Sequence, residues 1–325
     1  MLSFFPNPYP DELFYSLVTR YHIRSGNKSF KQTLIELLEY YPNQLYSLAL
    51  PNNLNHLIKR VPSTSTLNFE RLIWEHTLYP FYRILLTSSE AWSLSKCMRG
   101  KLSEPIYKIA KFYQHSELKQ TSLKFCPDCV RQDINNFGEA YWHRMHQVPG
   151  IFICLPHNCF LIESRIPLIT NNLQHEPANL ENCVLSSLKV YAPETIQCLK
   201  KLATNIELLM QCDISFQGLP WLRNQYQNYL VQGGFIPKKR GDRVRFDAKS
   251  FLHEILRYYK QEFWDIVKPG TYGKLEEYLA YCLLGCDVTA TIERVIHVIL
   301  ISFLSDSLQD FFGTKFAQTK TILGI

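Results

Sequence analysis

Apolar residues recur at helical spacing through most of the chain. Leu13, Phe14, Leu17, Val18 and Tyr21 form a first stripe, three or four positions apart as one face of a helix requires. Asp11 and Glu12 after Pro10 suit its first turn, and Gly26-Asn27 end it. Ser29 can cap a second helix with Phe30, Leu34, Leu37 and Leu38 on one face, stopped by Pro42. Shorter stripes follow at Leu54, Leu57 and Ile58, and at Phe69, Leu72, Ile73 and His76 before Tyr79-Pro80. A further helix covers residues 90–98. Short helices joined by short turns predict a helix-turn-helix-like bundle, with a plain helical scaffold as the alternative.

Residues 116–124 are polar and read as a linker. Beyond them the helical period breaks, and Ile151, Ile153 and Phe160 sit in short runs of β character. Residues 165–190, rich in Pro, Asn and Ser, read as a loop-rich connector. Helical spacing returns after Ala192, with Pro193 in a first turn and Ile196, Leu199, Leu202, Ala203, Ile206 and Leu209 on one face. A helix from Trp221 to Gln232 ends at Gly233-Gly234, and Asp247 caps one bearing Phe251, Ile255, Leu256 and Tyr259. Residues 271–284 and 290–312 complete the set. The expected fold is mainly α in three parts. An N-terminal helix-turn-helix-like domain covers 1–118 and a small zinc-binding module 119–170. A C-terminal helical domain covers 171–325, with a winged helix-turn-helix as one possible arrangement.

The break in the pattern coincides with the most specific chemistry. Cys126-x-x-Cys129 is followed, after 24 residues, by Cys154-x-x-His157. Two close pairs across one gap are what a tetrahedral zinc site needs: each pair sits on a turn whose side chains converge. Pro127 and Pro156 lie inside the pairs and would stiffen those turns. Four protein ligands leave no open position, so one structural zinc held by Cys126, Cys129, Cys154 and His157 is expected. Cys159, His143 and His146 are the rivals, and ordinary buried cysteines are the competing reading.

Composition narrows the class. Hydrophobic content of 46% with 20% charged residues describes a folded chain rather than a disordered one. Ten cysteines without a basic, apolar leader point to reduced thiols and a cytoplasmic protein. The most apolar run, Val295 to Leu304, is too short to span a bilayer, so no membrane partner is expected. A net charge of +6 permits an anionic partner without demanding one. The basic residues concentrate in Lys238, Lys239, Arg240, Arg243, Arg245 and Lys249, opposed by Asp242 and Asp247. Alternation through Arg243-Val244-Arg245-Phe246 would face both arginines outward on a strand, where they could meet nucleic-acid phosphates; a solvated loop has the same composition.

Catalytic motifs are missing. Gly270 to Lys274 is too short to cradle phosphates, and no His-Glu-x-x-His or Gly-x-Ser-x-Gly pattern occurs. A zinc hydrolase or nuclease would need three ligands, a water and a base, for which Glu139 is the nearest carboxylate. The expectation is therefore not an enzyme, with that hydrolase, or a structural zinc-containing DNA-binding regulator, as the alternatives.

Three segments together resemble the TniQ/TnsD family of transposon target-selection proteins. The opening is Pro8-Tyr9-Pro10-Asp11-Glu12-Leu13-Phe14-Tyr15-Ser16 with Arg20. The zinc core is Cys126-Pro127-Asp128-Cys129, then Gly138-Glu139-Ala140-Tyr141-Trp142-His143-Arg144, His146-Gln147, Pro149-Gly150 and Cys154-Leu155-Pro156-His157. The third is Gly233-Gly234, Arg243-Val244-Arg245 and the helix from Phe251. The chain departs from the family at Pro156 and Asn158, where Lys or Arg and Gly are usual, and keeps only His297 of a His-Pro-x-x-His element. The resemblance implies a non-catalytic adaptor that recognises an insertion site and recruits an AAA+ ATPase transposition regulator. Its implied partners are that ATPase and target DNA or a CRISPR RNA-guided effector complex; a homodimer is also compatible with the sequence.

Overall fold

A computed structural model describes residues 1–40, 49–100, 106–111, 121–168, 174, 176–185, 190–214, 216–236, 246–270, 272–284, 293–313 and 316–318. The described residues are mainly helical, with three two-stranded antiparallel sheets. They gather into two compact units. One combines Met1–Arg83, Ser89–Ala110 and Lys119–Leu188; the other combines Ile84–Ser88, Lys111–Leu118 and Lys189–Ile325.

In the first unit the helices Phe14–Ser25, Phe30–Leu38, Leu54–Ile58, Phe69–His76 and Ser88–Arg99 fall where the apolar stripes place them. Their ends follow local chemistry. Gly26 closes the first helix at φ 74°, a left-handed conformation that costs glycine little. The Ser29 side chain accepts the Gln32 N–H at the start of the second. That helix stops at Glu39, itself left-handed at φ 58°, before Pro42 is reached. The fourth helix ends at His76, before Tyr79-Pro80 as expected, and Tyr79-Pro80 then opens the short helix Tyr79–Tyr82, because proline fits a first helical turn.

The segment expected to be a polar linker is in part a buried strand. Ser122–Phe125 pairs antiparallel with Ile162–Pro167. Its lysine misled the reading: the Lys124 ammonium is buried and donates to the Ile151 carbonyl at 2.7 Å. The connector predicted from residue 165 correspondingly begins later, after a strand that alternates buried and exposed positions.

In the second unit the long helix Pro193–Gln211 packs on Arg294–Leu304, joining buried Leu199, Leu202 and Ile206 to a helix buried over most of its length. Leu219–Gln232, Ala248–Tyr258, Gln261–Val267 and Leu275–Leu284 complete the core. Asp247 caps Ala248–Tyr258 by accepting the Ser250 N–H. The C-terminal stretch expected as one helix is two, because Ser307 caps a new start at Leu308–Phe312. No helix among the described residues is long and apolar enough to cross a membrane.

Candidate metal centre

Cys126 and Cys129 are placed by a helix rather than by a free turn. Cys126 is the N-cap of Pro127–Phe137, with Pro127 in the first helical position, and its sulfur accepts the Cys129 N–H at 3.4 Å. Both thiols therefore lie at a helix N-terminus, where the backbone dipole favours thiolate over thiol. Cys154 closes the two-residue strand Ile153–Cys154, which pairs with Cys159–Phe160. Between these strands the Asn158 N–H donates to the Cys154 carbonyl at 2.8 Å, and Asn158 takes φ 54°. Asparagine tolerates that left-handed state better than most residues with a Cβ. The turn swings the His157 ring onto the three sulfurs.

The donor atoms of Cys126, Cys129, Cys154 and His157 all lie within 4.8 Å of one another. His157 Nδ1 stands 3.5 Å from Cys126 Sγ, 3.3 Å from Cys129 Sγ and 3.5 Å from Cys154 Sγ. Cys129 and Cys154 sulfurs are 3.7 Å apart. A tetrahedral zinc with bonds of about 2.3 Å to sulfur and about 2.0 Å to nitrogen would set S···S edges of about 3.8 Å and S···N edges of about 3.5 Å. The residues fit a metal ion by donor chemistry and by spacing. The charges agree: hydrogen bonds from Cys129 and then Cys154 hold the Cys126 thiol below its ordinary range, while the same contacts push Cys129 above it. Three thiols this close cannot all ionise without a cation among them.

Around the donors lies a layer that the spacing did not reveal. His146 is 5% exposed and its Nε2 lies 3.8 Å from Cys129 Sγ. Burial holds its imidazole well below the ordinary pKa. His143 stacks on Tyr141 at 4.3 Å and lies tilted against His146 at 4.8 Å, and its Nε2 meets buried Asp133 at 2.9 Å. Cys129, His143 and His146 form a second close donor group that shares Cys129. With His143 held by Asp133, the pair orients the Cys129 sulfur from outside, as partners around metal ligands commonly do. Cys159 lies 3.3 Å from Cys126 Sγ and groups with Cys126 and Asp128, not with the other three donors.

Glu139, the nearest carboxylate in sequence, is committed elsewhere. Its Oε1 accepts from Arg20 Nε at 2.9 Å, Arg24 Nη2 at 2.5 Å and the Tyr9 hydroxyl at 3.0 Å. Arg20 also donates to Glu12 Oε2 at 2.8 Å and lies over the Tyr9 ring at 3.7 Å. Backbone bonds run in parallel: the Leu13 N–H donates to the Trp142 carbonyl and the Arg144 N–H to the Asp11 carbonyl. The Asp11 carboxylate accepts from Arg144 Nε and the Met145 N–H, each at 2.9 Å. The opening motif and the segment between the two cysteine pairs are thus one assembly, 119 positions apart at Arg20 and Glu139.

Of the basic arm, Lys238, Lys239, Arg240, Arg243 and Arg245 lie outside the described residues. Lys249 is exposed near the start of Ala248–Tyr258. His297 is buried, with Nδ1 2.9 Å from the Tyr226 hydroxyl.

Residues 3–161 match the family model described as TniQ. Over 163 residues, 50% of this chain, the sequence is 28% identical to the Transposon Tn7 transposition protein TnsD of Escherichia coli. The match covers 32% of that protein, so the chain spans about a third of the length of the relative it matches. The matched residues 3–161 contain the whole donor cluster and both halves of the Glu12–Arg20–Glu139 network.

Proposed function

Residues 3–161 place this chain in the TniQ/TnsD family, and from that premise we propose that it selects the target site of a transposon without catalysing the chemistry. The observation that carries the reading is the coincidence of the family match with a closed four-donor cluster stitched to the opening motif. Zinc is the proposed ion, bound by Cys126, Cys129, Cys154 and His157. Its donor set is that of a structural site, whose stabilising role comes from joining distant segments. A hydrolytic role is disfavoured, since Glu139 is occupied by two arginines and a tyrosine.

The proposed partners are an AAA+ ATPase regulator and target DNA, reached directly or through an RNA-guided effector. The basic residues Lys238, Lys239, Arg240, Arg243, Arg245 and Lys249 are the proposed nucleic-acid contacts, by charge and by the exposure of Lys249. The experiment is co-purification of the tagged full chain with the AAA+ ATPase encoded beside it, with and without duplex target DNA. Retention of the ATPase by wild type but not by a Cys154→Ser chain supports the reading. An ATPase that never binds soluble, metal-loaded wild type contradicts it.

A further inference from the structure

We infer that Cys159 is a fifth donor of the metal centre, able to take the fourth coordination position in place of His157. This rests on the metal reading above and concerns only how this chain's own side chains serve it. Cys159 lies opposite Cys154 in the hairpin register, so the turn that delivers Cys154 and His157 delivers Cys159 as well. Its sulfur is 3.3 Å from Cys126 Sγ but stands apart from Cys129, Cys154 and His157, so a turn of its side chain toward Cys154, its register partner, would complete the set. It is half-buried against the cluster of Cys126, Cys129 and Cys154, not packed away in a separate core.

The geometry separates what must stay from what can change. Cys126 and Cys129 are fixed by a helix start, and Cys154 by a strand. His157 sits on the tight turn through Asn158, outside both strands, so the fourth position is the one that a small rearrangement of that turn, with a turn of the Cys159 side chain, can exchange. In the exchange the bond to His157 Nδ1 breaks, a bond to Cys159 Sγ forms, and the thiol proton passes to the freed imidazole. Three thiolates and an imidazole become four thiolates, which zinc accepts equally well.

The test uses the full chain with His157→Ala, Cys159→Ser, the double variant and Cys154→Ser as a control. Zinc per chain is measured by mass spectrometry, and the visible spectrum is recorded after cobalt substitution. The expected result is about one metal ion per chain in wild type and in each of the two single variants His157→Ala and Cys159→Ser. The cobalt bands of His157→Ala should shift to a four-thiolate pattern, and the double variant should lose the metal. Iodoacetamide should label Cys159 in metal-loaded wild type and spare it in His157→Ala. A folded His157→Ala without metal overturns the inference, as does an insoluble one that behaves like Cys154→Ser, or a double variant that keeps its metal. Wild type without metal would instead overturn the metal reading itself.

Discussion

Arg20 Nη1 lies 2.8 Å from Glu12 Oε2, with Arg20 6% exposed and Glu12 fully buried. Breaking such a pair from one side leaves a buried charge without its counter-ion, which typically costs about 3–5 kcal/mol. Arg20 also anchors Glu139, so its loss removes one of the ties between the opening motif and residues 138–147. Arg20→Ala should lower stability by up to about that amount in denaturant melts above pH 7, where Glu12 is ionised. Arg24→Ala, removing a half-exposed partner of the same carboxylate, should cost less than about 1 kcal/mol.

The same pair sets a pH dependence. Burial pushes the Glu12 carboxyl up to about 7, against the pull of Arg20. A carboxyl raised on folding contributes stability that is complete below its unfolded value of about 4.5 and is lost as pH climbs through 7. Stability of wild type and Glu12→Gln, compared across pH 4 to 8, should differ in slope over that window, with the variant flatter. Parallel curves would show that Glu12 stays ionised throughout.

Cys154→Ser should remove the metal and unfold the first unit. Structural zinc contributes about 10–16 kcal/mol in zinc-finger peptides, comparable to the whole stability of a typical domain, about 5–15 kcal/mol. Chelation of wild type should give the same loss of thermal transition, reversible on adding zinc. An unchanged transition in the metal-free chain would show that packing alone holds the cluster.

Much of the centre was legible in sequence, and the limits have physical causes. Paired spacing picked out Cys126, Cys129, Cys154 and His157, whose donor atoms the structure brings within 4.8 Å of one another, because a tight turn or helix start converges on one point whatever surrounds it. It left Cys159, His143 and His146 as rivals to the set, since residues this near in sequence are separated only in three dimensions. The opening motif and Glu139 were each visible, yet their ion pairs span 119 positions, and periodicity carries no such information. Lys124 hid a strand, because a lysine reads as solvent-facing until the Ile151 carbonyl is found above its ammonium. Helix ends were read well where a side chain caps, as at Ser29 and Asp247, and poorly where Glu39 adopts a left-handed backbone without announcing it.

The basic arm is tested by charge reversal. Arg243→Glu with Arg245→Glu should weaken binding to random duplex DNA. The log–log salt slope should fall by about 0.9 for each phosphate that is no longer neutralised. The measurement is affinity across a salt series, with folding of the variant checked independently. Identical slopes would remove both arginines from the binding surface.

Target selection itself is tested most directly by sequencing transposon–target junctions from a transposition reaction, with the chain supplied or withheld. Insertions should concentrate at one site only when the chain is present, and should disperse or be lost with Cys154→Ser. An identical distribution of junctions with and without the chain would contradict it.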